Sequence, residues 1–76
     1  MDLDTDKIDD AVLALLLLGA SGRRAWKGFD SETMDRLHER GFVGDPRTKS
    51  ASLELTDEGL ARAQQKLVEL FGRSET

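Results

Sequence analysis

No cysteine and no tyrosine occur in this chain of 76 residues, and it has one tryptophan, one histidine and one proline. Without cysteine there is neither a disulfide nor a thiolate zinc site. A single imidazole, His38, gives no ligand spacing for a metal, and no glycine-rich phosphate loop is present. The sequence therefore points to no catalytic, metal or cofactor site, and a non-enzymatic protein is expected. The longest apolar run, Ala11 to Leu18, is far short of the roughly 20 residues that span a bilayer. The opening Met1-Asp2-Leu3-Asp4 is acidic, where a secretory signal would be basic. A cytoplasmic protein with no membrane partner is the expectation.

Length sets a further bound. A chain of 76 residues builds one small core, and folds of this size are commonly reinforced by disulfides, metals or a second copy. We expect a single domain over residues 1–76, frayed at 1–4 and 73–76. With the first two reinforcements removed, self-association remains.

The formal net charge is -4, unevenly spread. Residues 1–22 set Asp2, Asp4, Asp6, Asp9 and Asp10 against Lys7 alone. Residues 23–49 hold Arg23, Arg24, Lys27, Arg36, Arg40, Arg47 and Lys49 against five carboxylates, and the remainder is acidic again. A slightly basic middle between acidic flanks is a weak electrostatic footprint for nucleic acid.

Asp4, Thr5 and Asp6 offer capping oxygens for a first helix over Lys7–Leu18. Its Ile8, Ala11, Val12 and Leu15 recur at helical spacing and define an apolar face, and Gly19 and Gly22 follow it. Leu13 and Leu17 project away from that stripe, so the helix is apolar nearly all round. Either the last helix or a loop covers the second side, or another copy does. We expect the latter, a homodimer with Leu13, Leu16 and Leu17 at its interface.

Arg24–Lys27 reads as a brief extended segment between Gly- and Ser-bearing loops. Asp30 caps a second helix over Ser31–Arg40, with Phe29 placed to staple onto Met34. Gly41 supplies a left-handed stop on which Phe42 folds back toward Leu37. Phe42-Val43 and the alternating Ala51-Ser52-Leu53-Glu54-Leu55 then suggest a hairpin with a basic tip at Arg47 and Lys49. Thr56 caps the last helix, where Leu60, Ala63, Gln64, Leu67, Leu70 and Phe71 keep helical spacing and Arg62, Gln65 and Glu69 face water. The fold class is α+β: helix, short strand, helix, β-hairpin wing, helix. A strandless three-helix bundle is the alternative.

Met34-Asp35-Arg36-Leu37-His38-Glu39-Arg40-Gly41-Phe42-Val43, followed by Ser52-Leu53-Glu54-Leu55-Thr56-Asp57-Glu58-Gly59-Leu60, resembles the second half of a winged-helix domain of the MarR and PadR type. That resemblance implies a recognition helix ending in "Gly-hydrophobic-Val" and a wing strand entering "Leu-Thr-x-x-Gly". Nearly the whole length also resembles a group of short bacterial proteins of unknown function. The shared residues are Asp6 to Leu16, Ala25-Trp26-Lys27-Gly28-Phe29-Asp30, and Asp35 to Glu39 followed by Gly41. The second resemblance implies no activity. The chain departs from the regulators at one point: only Gly28-Phe29 separates the Arg24–Lys27 segment from the cap at Asp30. The helix that completes a helix-turn-helix has no room there, so the frame is a degenerate winged helix.

The outward positions of the second helix, Ser31, Glu32, Asp35, Arg36, Glu39 and Arg40, include three carboxylates that would repel phosphate. Arg23, Arg24, Lys27, Arg36, Arg40, Arg47 and Lys49 are the candidate contacts to nucleic acid or another partner. Trp26 is expected to plug the core beneath the wing, and His38 to pack on the inner side of its helix. A protein-interaction or adaptor module with an unidentified protein partner is the favoured reading. A DNA-binding regulator using the wing and the Arg23–Lys27 segment is the disfavoured alternative.

Overall fold

The computed structural model describes residues 1–73 and contains three helices and a two-stranded antiparallel sheet, ordered α1 (Thr5–Leu18), β1 (Arg24–Trp26), α2 (Ser31–Glu39), β2 (Ser52–Glu54) and α3 (Asp57–Phe71). Of the ends expected to fray, 74–76 lie outside the described residues.

The three helix starts are capped as their sequences require. Asp4 accepts from the Lys7 amide, Asp30 from Thr33 and Thr56 from Gly59, each satisfying a first-turn N–H that lacks a helical acceptor. Helix α2 stops at Gly41, whose φ of 81° suits a residue without a Cβ. The Gly41 amide donates to the His38 carbonyl and the Phe42 amide to that of Leu37, which is the Schellman pattern.

Helix α1 is the centre of the molecule. It packs most extensively on α3, then on α2, and touches β1, while α2 and α3 share no such packing among the described residues. A helix with neighbours on two sides needs two apolar stripes, and the surplus leucine supplies them. Leu13 and Leu16 are buried and Leu17 is half-buried against the same core. This corrects the expectation that these three leucines form a surface for a second copy. The covered meridian runs through Asp9, Leu13 and Leu16, so Leu15, expected to point inward, is instead partly exposed.

The sheet also differs from the expected hairpin. Ala25 pairs with Leu53, between Arg24↔Glu54 and Trp26↔Ser52. The Phe42-Val43 strand shrinks to one bridge, Val43↔Leu55. Leu53, Leu55 and Val43 are buried with Ala25, Met34, Leu37 and Ala63 to complete the core. Between Trp26 and Ser31 there is no helix, as the spacing requires.

Gly59 explains the Leu55-Thr56-Asp57-Glu58-Gly59 motif. A Cβ at Gly59 would stand 1.9 Å from the Phe42 carbonyl oxygen, so only glycine lets the first turn of α3 lie on that backbone. Thr56 locks the approach: its amide donates to the Phe42 carbonyl and its hydroxyl to that of Gly41, at 3.0 and 2.6 Å. Farther along, α3 outruns the core. Val68, Leu70 and Phe71 are exposed, contrary to the expected inward placement of Leu70 and Phe71, and Gln64 faces water.

Candidate functional site

Two adjacent carboxylates on α1 organise the charged interior. The Asp9 side chain is 2 % exposed and accepts from Arg36 Nε at 3.0 and 3.1 Å, with Arg36 Nη2 ion-paired to it at 2.8 Å. Arg40 approaches it at 3.5 Å. Asp10 accepts from Arg62 Nε at 2.9 Å, with Lys66 at 3.7 Å. Asp9 thus ties α1 to α2, and Asp10 ties α1 to α3. Burying a carboxylate without such partners would be costly. The bond to Asp9 raises the Arg36 pKa above its ordinary value. Arg40 and Arg62 also lie over the Phe42 ring, at 5.0 and 5.4 Å from its centroid, so one aromatic links both clusters. Arg62, expected in water, is part of this interior.

Most candidate phosphate contacts are engaged within the chain. Arg36 and Arg40 are held by Asp9. Arg23 pairs with Asp57 and donates to the Leu55 carbonyl. Arg24 reaches Ser50 and Ser52 across the sheet. Lys27 Nζ donates to the carbonyls of Pro46 and Thr48 at 2.7 and 2.6 Å, clamping the loop that was expected to present a basic tip. Arg47 bonds Asp45 at 3.1 Å. Its backbone amide donates to the same carboxylate, and these bonds hold Asp45 below the usual carboxylate range. Of the seven candidates only Lys49 makes no hydrogen bond or ion pair among the described residues. His38 sets Nδ1 against the Val43 carbonyl at 3.1 Å, steadying the end of α2. The described residues hold no group of three or more His, Asp or Glu side chains placed to share a metal ion.

A further feature is apolar. Trp26, expected in the core, is 66 % exposed. Strand alternation is the cause: in Arg24-Ala25-Trp26 only the middle residue points inward. The indole lies where a Cβ at Gly28 would stand and meets Phe29 with ring centroids 6.2 Å apart. Glycine at 28 therefore lets the ring settle beside α1. There Leu15, Leu16, Gly19, Ala25, Trp26 and Phe29 line a cleft of about 200 Å³. Leu18, three residues beyond Leu15 on the same helix, is 69 % exposed. The sequence signal for this surface was the same leucine surplus, read one residue out of phase.

Fold and surface define a small α+β domain built from three helices and a two-stranded sheet, with an exposed apolar corner between α1 and β1. Residues 4–73 match the family described as a domain of unknown function, DUF6429, and the chain belongs to that family. It is 61 % identical to the uncharacterized protein y4hR of Sinorhizobium fredii (strain NBRC 101917 / NGR234), over 96 % of this chain and all of the relative. No solved structure matches the chain. No helix among the described residues is long and apolar enough to cross a membrane.

Proposed function

We propose that this protein is a non-enzymatic protein-interaction module on a reduced winged-helix frame, binding through the α1–β1 corner. The observation that carries the reading is Trp26, a large aromatic side chain left 66 % exposed at the rim of an apolar cleft. Exposed tryptophan beside a hollow is the usual anchor of a protein interface. The winged-helix part is supported by the element order and by the single bridge Val43↔Leu55 just past the end of β2. With no helix between β1 and α2, the pair that docks a recognition helix in a groove is missing. Arg36 and Arg40 cannot turn to phosphate without abandoning Asp9.

A photo-crosslinking residue at position 18, with a control at 49, tests the reading in intact cells. A protein adduct specific to position 18 is expected, and absence of any adduct overturns the proposal. Gel-shift titration on mixed duplex covers the rival. Micromolar binding that weakens steeply with salt, and that is lost on Lys49→Glu, would put DNA in place of a protein partner.

A further inference from the structure

We draw no further inference here: the strongest candidate, the apolar cleft between α1 and β1 lined by Leu15, Leu16, Gly19, Ala25, Trp26 and Phe29, belongs to the corner already described, and nothing in the structure shows what covers it.

Discussion

Asp9→Ala probes the organising contact of the fold. Breaking a buried ion pair by removing one partner costs about 3–5 kcal/mol, because the surviving charge is left uncompensated. Here the survivors are Arg36 and Arg40, whose side chains are 31 % and 32 % exposed, so both can turn toward water. The lower end, about 3 kcal/mol, is the expected loss. At ~0.05–0.15 kcal/mol per residue a chain of this length holds only about 4–11 kcal/mol in total. The substitution should thus remove a quarter or more of the stability and lower the melting temperature by about 12–24 °C. Urea unfolding followed by helical circular dichroism measures it, with an unchanged slope showing that the unfolded state is the same. A loss under about 1 kcal/mol would refute the reasoning, since that is the scale of an exposed pair. Arg36→Met should also destabilise, because the Asp9 carboxylate stays 2 % exposed with only Arg40 at 3.5 Å. The double change Asp9→Leu with Arg36→Met should recover much of either loss, as apolar replacements of buried pairs often do.

Gly59→Ala should destabilise by about 1–3 kcal/mol through overpacking against Phe42, although alanine favours helix by about 1 kcal/mol; a stabilised variant in thermal melts would disprove the contact. Lys27→Met removes the donor held by the Pro46 and Thr48 carbonyls, and amides of residues 45–50 should exchange hydrogen faster while those of α1 do not. Asp45 has its folded pKa lowered from the ordinary 3.8, so its contribution to the 45–47 turn is present above that value and lost as pH falls through the lower folded one. Amide shifts of Asp45 and Arg47 in an NMR titration should move with a midpoint below 3.8; movement centred at or above that value would contradict the assignment.

Local signals carried the helices well. Asp4, Asp30, Thr56 and Gly41 act through their own next turn of backbone, so sequence neighbours suffice to place them. The extended segment expected at Arg24–Lys27, found as Arg24–Trp26, and the absence of a helix between it and Asp30 were legible for the same reason. Partner choice was not. Phe42-Val43 looked like a short strand pairing with Ala51–Leu55, yet β2 pairs mainly with β1, through partners as far apart in the chain as Ala25 and Leu53. The rotation of α1 was lost because hydrophobic periodicity places aspartate outside. Asp9 and Asp10 are inside, held by arginines on two other helices.

The same burial of aspartate explains why charge counted along the chain does not locate a site. Seven cations between residues 23 and 49 form a basic stretch on paper, and their value for binding phosphate depends on what they already hold. Arg36 and Arg40 answer a carboxylate from α1, and Lys27 answers the carbonyls of a loop nineteen residues on. Each such bond removes a donor from the surface and adds order to the fold. The apolar residues behave in reverse: Leu13 and Leu16 looked surplus and are core, whereas Trp26 looked like core and is surface. Three-residue strand alternation places Trp26 outward once Ala25 is committed inward. The exposed apolar corner is therefore set by the partner that β1 takes, and a variant that frees β1 from β2 should disorder the Trp26 corner before it disturbs the α1–α3 pair.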